Sequence, residues 1–358
     1  MCHTLVRRLM SASVSRIVFA TDLHLTEGDG GMDVFPTDLQ EIDALSPDLL
    51  VVGGDICLWE EGAGDHLQAQ LEQAPFESIC LMGNHDTDKE GTATLFDEEF
   101  THRFGARNHH RALPGAHVIG LNTCVMQPQK QGWRNVRAEV GAADLDWLDS
   151  TLADLTPDRP LLVFVHIALA TTYPERRGAD QATTDVWRVI NADAVLERLK
   201  RWTAPIIIFQ GHLHENEHLH LDDLHLISVG SVCGSWWKGS ETSRCTDHSP
   251  RGWLVVEAAD GHVQLDYRAA RTPGWHGEIV SDAEGDLLNL FFADSAETVE
   301  VRIDGEWIAL PPPTPYPVDD MFVSVHHWRL PAEVGDRVDV RTQMRGRPWV
   351  LGTITCRS

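Results

Sequence analysis

Five short motifs in the first two-thirds of the chain carry residues that can hold metal ions: Asp22-Leu23-His24, Gly54-Asp55, Gly83-Asn84-His85-Asp86, Val165-His166 and Gly211-His212-Leu213-His214. The candidate ligands are Asp22, His24, Asp55, Asn84, His166, His212 and His214. They offer carboxylate, amide and imidazole donors and no thiolate. That set suits borderline and hard divalent ions such as Mn, Fe or Zn, and it argues against a cysteine-type structural zinc. Asp22 and His24 are two residues apart at a strand end, so both side chains can touch one cation. Asp55 follows Gly53-Gly54, where small residues allow close approach of backbone and carboxylate. A carboxylate with two oxygens can hold two ions about 3.5–4 Å apart, the spacing of two-metal phosphoester hydrolases. His85 lies between Asn84 and Asp86. Its expected role is to stabilise the transferring phosphoryl group or to protonate the leaving oxygen, with Asp86 orienting it.

Ligands this far apart in sequence converge only if strands deliver them. Residues 16–21, 49–52, 78–82, 161–165 and 205–210 read as short buried strands, each directly before a motif. Segments 37–45, 144–155 and 183–202 show helical spacing between them. Strand–helix alternation is the α/β signature. From residue 217 onward the pattern turns to hairpins: 217–221 with 224–229, and 253–257 with 262–267 about Asp260-Gly261. The expected organisation is a catalytic domain over 1–272, a linker over 271–286, and a small all-β, sandwich-like domain over 285–358.

The five motifs in this order resemble the calcineurin-like metallophosphoesterases over residues 16–270. The resemblance implies a four-layer α/β/β/α sandwich with metals at the strand ends. It implies one ion on Asp22, His24, Asp55 and His214, and a second on Asp55, Asn84, His166 and His212. It implies attack on phosphorus by a metal-bridging hydroxide. Protein Ser/Thr phosphatases of the superfamily carry Asp-Arg-Gly after the second motif. Here Asp55 is followed by Ile56-Cys57-Leu58-Trp59, so a phosphoprotein substrate is disfavoured. The spacing and Gly-Asn-His-Asp look closer to the bacterial cyclic-nucleotide and glycerophosphodiester phosphodiesterases. Trp236-Trp237 and the β-rich tail resemble a further branch of that group.

Composition sets the remaining bounds. The formal net charge of −25, from 54 acidic and 29 basic residues, disfavours a nucleic-acid polymer and points to a small phosphodiester or phosphomonoester. No apolar run reaches membrane-spanning length, and residues 1–15 read as an irregular lead-in rather than a signal peptide. Seven cysteines without a Cys-x-x-Cys suggest buried thiols and a cytoplasmic location. The remaining histidines have quieter expectations. His218, His220 and His225 form a polar hairpin face, and His109-His110 and His326-His327 are structural or solvated. Cys57 is a small buried hydrophobe. Arg103, Arg107 and Arg111 are candidates for a cap over the site, with a surface helix and loop as the simpler reading. The rival function is a phosphoesterase-fold scaffold that binds a partner through its β-rich tail; a complete ligand set disfavours it.

Overall fold

The computed structural model describes residues 14–26, 31–58, 61–86, 96–127, 136–180, 184–235, 239–332, 334–344 and 347–355. The catalytic portion contains, in chain order, β1 (Ser15–Ala20), α1 (Gly31–Asp43), β2 (Leu49–Val52), α2 (Ala63–Gln73), β3 (Glu77–Cys80), α3 (Phe96–Phe104), β4 (His109–Ala112), β5 (His117–Leu121), β6 (Cys124–Met126), β7 (Val136–Ala138), α4 (Ala142–Asp154), β8 (Leu161–Val165), α5 (Tyr173–Arg176), α6 (Ala192–Leu199), β9 (Ile206–Gln210), β10 (Glu217–Leu221), β11 (Leu224–Ser228), β12 (Gly252–Ala259) and β13 (His262–Ala269).

Two sheets face one another. One has the order β13-β12-β1-β2-β3, the other β10-β11-β9-β8-β5-β4. Their central strands are parallel, with antiparallel partners toward the edges. Near-continuous apolar runs such as Leu161–Val165 and Ile206–Gln210 are what strands covered on both faces require. The strand period of two then sorts each run. Ile17 and Phe19 join Phe164 and Phe209 in the layer between the sheets, where the Phe164 and Phe209 rings stack at 4.8 Å. Val18, Ala20, Val163 and Ile208 point the other way, into the same cluster as the helix residues Phe35, Leu39, Leu67 and Leu148. Helices on the outer faces and sheets within give the four-layer α/β/β/α sandwich.

Beyond it the regular elements among the described residues are strands: β14 (Gly277–Asp282), β15 (Gly285–Leu290), β16 (Val299–Ile303), β17 (Glu306–Ala309), β18 (Tyr316–Pro317), β19 (Val323–Ser324), β20 (His327–Arg329), β21 (Arg337–Met344) and β22 (Arg347–Thr355). Three- and four-stranded antiparallel sheets share a separate core that includes Leu288, Val301, Trp328 and Val340.

Three expectations need correction. Segment 183–202 is not one helix; the described part is turns followed by α6. The amides of Val189 and Ile190 bond to Ala168 and Ala138 carbonyls at 2.8 and 2.9 Å, and the Asn191 side chain pairs with the Val140 backbone. Tertiary partners thus claim the groups a helix would need. Segment 271–286 is not merely a linker, because β14 pairs with β15 within it. Helix α1 begins at Gly31 and runs through Pro36 rather than starting after it.

Candidate metal centre

Every predicted ligand lies just past the carboxyl end of a parallel strand, where open α/β sheets generally place their sites. Asp22 and His24 follow β1, Asp55 follows β2, Asn84 follows β3, His166 follows β8, and His212 and His214 follow β9. The chain must turn abruptly there. Asp22, His24, Asp55, His212 and His214 all have positive φ, between 42° and 72°. Non-glycine residues in this region cost free energy, and such strain concentrates at functional sites. Two glycines make room for the bends. A Cβ on Gly83 would sit 2.2 Å from both the Asp55 amide nitrogen and its Oδ1, and one on Gly211 would lie 2.1 Å from Thr21 Oγ1.

The seven candidate ligands converge. Asp22, His24 and Asp55 present donor atoms within 4.8 Å of one another, and so do Asp55, His166 and His212. Asp55 belongs to both groups. His24 Nε2 lies 3.4 Å from its Oδ2, and His166 Nε2 lies 3.2 Å from its Oδ1. His214 Nε2 lies 3.3 Å from Asp22 Oδ1, and Asn84 Oδ1 lies 3.2 Å from His166 Nε2. Donor atoms around a four-coordinate ion with bonds of about 2.0–2.2 Å stand about 3.3 Å apart, so these spacings suit shared centres.

The second ring nitrogens are anchored by backbone. His166 Nδ1 pairs with the Gly53 carbonyl at 2.8 Å, His214 Nδ1 with the Gly234 carbonyl at 2.6 Å, and His212 Nε2 with the Val186 carbonyl at 2.9 Å. Donation to a carbonyl fixes each tautomer and leaves the other nitrogen's lone pair toward the centre.

Electrostatics agree with a cation site. Burial opposes ionisation of Asp22, but His214 and His166 outweigh it and hold the carboxyl well below its usual range. Burial is likewise overcome at Asp55, chiefly by His166 and His85. Burial would lower His166, yet Asp55 lifts it to about 9. Burial and the neighbouring His166 drive His212 down to about 4. Two ionised, buried carboxylates thus draw positive charge, and protons on His166 supply part of what divalent ions would provide. Donor chemistry, spacing and charge all fit a pair of divalent ions.

His85 is buried beside this centre, its ring 5.0 Å from that of His24. Its amide donates to Asp55 Oδ1 at 2.8 Å. Burial lowers its pKa to about 4, against the pull of Asp55. Asp86, the expected orienting partner of His85, is itself held by backbone amides. Its Oδ1 accepts from the amides of Ile56 and Cys57 at 2.7 and 2.9 Å, and its Oδ2 from Gly83 at 2.8 Å. It clasps the loops after β2 and β3 together.

Other parts of the site were not foreseen. Thr21 Oγ1 donates to Asp22 Oδ2 at 2.7 Å, and Cys57 Sγ lies 3.1 Å from His24 Nδ1. Cys57 is therefore buried as expected but polar in its contact. Trp187 packs against His212 at 5.6 Å. The Gly53-Gly54 pair was the one sequence signal pointing to such crowding. Arg103, Arg107 and Arg111 pair with Asp65 and Glu99, Asp144, and Glu77 respectively, the arrangement of an ordinary surface. Residues 87–95 of the expected cap, and Trp236, Trp237 and Lys238, lie outside the described residues.

Residues 15–216 match the family model of the calcineurin-like phosphoesterases, and 227–330 match the model of the C-terminal part of the same proteins. The chain belongs to the calcineurin-like phosphoesterases. It is a metal-dependent phosphoric ester hydrolase by family. A probable cyclic nucleotide phosphodiesterase of Synechococcus is 26% identical over 268 residues, covering 70% of this chain and 94% of that protein. A 3′,5′-cyclic-nucleotide phosphodiesterase of Nostoc is 24% identical over 253 residues, covering 67% of this chain and 87% of the relative. Among solved structures, a dimetal phosphatase from Danio rerio superposes with a TM-score of 0.50 at 14% identity, covering 77% of this chain and 99% of the other, a likeness of fold. Among the described residues no helix is long and apolar enough to cross a membrane.

Proposed function

We propose that this phosphoesterase is dinuclear and hydrolyses a small phosphodiester, with 3′,5′-cyclic nucleotides as the first class to test. The observation that carries the dinuclear reading is the pair of donor groups that share Asp55. Asp22, His24, Asp55 and His214 would hold one ion, and Asp55, Asn84, His166 and His212 the other. Such ions would supply Lewis acidity to phosphoryl oxygens and would lower the pKa of water at the site.

The chain's own residues do the rest. Backbone carbonyls of Gly53, Gly234 and Val186 keep three imidazoles in the ligating tautomer. His85, neutral at pH 7, retains one ring N–H that can donate to a phosphoryl or leaving oxygen. Asp86 holds the loop that presents it. Strain-matched loops preorganise these groups before substrate arrives, so little reorganisation is needed during reaction. The names of the Synechococcus and Nostoc relatives, and the strongly acidic chain, support a small phosphodiester over a nucleic-acid polymer.

The test is turnover of 3′,5′-cyclic AMP, bis-p-nitrophenyl phosphate and p-nitrophenyl phosphate by metal-stripped protein reloaded with Mn, Fe, Co or Zn. Restored hydrolysis of the diesters is expected. Absence of turnover with every metal and ester would overturn the reading, and turnover of the monoester alone would overturn the substrate class.

A further inference from the structure

A second group of ligand-type side chains lies outside the site just described. Along β10 and β11, His220 sits opposite His225 and His218 opposite Ile227, so the strand period of two puts His218, His220 and His225 on one face. They were expected to form the polar face of a hairpin. Instead His218 and His225 are buried, at 7% and 8% exposure. What covers them comes from the C-terminal part of the chain: Phe292 packs edge-on against His218 at 4.6 Å, and Asp294 follows with its carboxylate buried.

The donor atoms of His218, His225 and Asp294 lie within 4.8 Å of one another. His218 Nδ1 and His225 Nε2 are 3.0 Å apart, near the spacing of about 3.3 Å between two donors on one four-coordinate zinc. Asp294 is braced as ligating carboxylates are. His220 Nε2 pairs with its Oδ2 at 2.6 Å, and the Ala296 amide donates to its Oδ1 at 2.9 Å. Each oxygen keeps a lone pair beyond the one so used. Each neutral imidazole has one bare ring nitrogen, so His218 with its proton on Nε2 and His225 with its proton on Nδ1 would both present a lone pair to the ion.

We propose that His218, His225 and Asp294 bind a divalent transition-metal ion, Zn2+ foremost, separate from the dinuclear centre, with His220 as the positioning residue for Asp294. Two nitrogens and one oxygen are a borderline donor set, and water would complete a tetrahedron. The ion would pin the edge hairpin of the second sheet to the segment after β15, across a sequence separation of 74 residues as measured from His220 to Asp294. Its contribution would be to stability, since it binds the folded arrangement and finds no such cluster in the unfolded chain.

The test counts zinc by mass spectrometry in full-length protein stripped with a chelator and reloaded with Zn2+. Asp55→Ala is the background, so that the dinuclear centre contributes least, and Asp294→Asn and His225→Gln are added singly. Each added variant is expected to lose one equivalent of zinc relative to the background, along with the zinc-induced rise in Tm. In an otherwise native chain, Asp294→Asn is expected to leave phosphodiester turnover unchanged. The difference between paired variants reads this site even if Asp55→Ala retains metal elsewhere, so failure of the dinuclear reading is scored separately. Far-UV circular dichroism checks folding, and the His225→Gln amide keeps a hydrogen-bonding group in place. Equal zinc content in background and both folded variants would overturn the proposal and leave a histidine–aspartate hydrogen-bond network alone.

Discussion

Gly83→Ala adds one methyl group against the centre of the site. The glycine has no positive φ, so alanine brings no backbone penalty of its own. The added Cβ would fall 2.2 Å from Asp55 Oδ1 and from the Asp55 amide nitrogen, whereas ordinary contacts begin at 3.4 Å. Relief therefore needs a shift of about 1.2 Å, and the crowded atoms are backbone and a carboxylate already bonded to the His85 amide. A misplacement of about 1 Å can cost about 100-fold in rate, or about 2.7 kcal/mol of transition-state stabilisation. We expect kcat/KM for bis-p-nitrophenyl phosphate to fall at least that far, together with the metal content of the purified protein. Gly335→Ala, where a Cβ meets nothing within 4 Å, is the control and is expected to behave as the parent. Parental kcat/KM and metal content in a folded Gly83→Ala protein would refute the claim that Asp55 is held in place by backbone crowding.

Three further outcomes follow from the geometry. His85→Ala is expected to keep its metals by mass spectrometry while kcat drops about 100- to 1000-fold, the range for losing a positioned proton donor or oxyanion partner. Asp86→Ala strands three buried amides, those of Ile56, Cys57 and Gly83, and should lower stability by about 3 kcal/mol or more, read as a reduced urea midpoint. His327 is pushed down to about 2 by burial and by neighbouring His326, so it folds neutral and charges on unfolding near its ordinary 6.5. Its share of stability is present above pH 6.5 and is lost as pH falls below it, at about 1.4 kcal/mol per pH unit. His327→Phe should flatten the urea midpoint's decline between pH 6.5 and 4, and an unchanged slope would contradict the assignment.

How much could be read from the chain depended on whether a signal was local. Residues 161–165 are uniformly apolar and 205–209 nearly so, with His166 directly after the first and His212 three residues after the second, so strand and candidate ligand were legible together. The candidate ligands were legible as positions for the same reason, because each follows the end of a strand. The backbone partners of Asp86 were not legible because Ile56 and Cys57 come from another loop, and no spacing rule predicts a carboxylate clasping foreign amides. Segment 183–202 carried real helical spacing, yet Val189 and Ile190 bond to carbonyls on distant segments. The histidines of β10 and β11 were legible as one polar face, but alternation does not reveal what covers it. Phe292 and Asp294 arrive from outside the hairpin. Strands β4 and β5 escaped notice because short segments such as His109–Ala112 have little periodicity, and pairing across the sheet defines them.

The central claim is that Asp55 is shared by two ions. Anomalous diffraction from crystals of the manganese- or zinc-loaded protein tests it most directly. Two peaks flanking the Asp55 carboxylate are expected, one beside His24 and His214 and one beside His166 and His212. A single peak, or two peaks of which only one contacts Asp55, would contradict it.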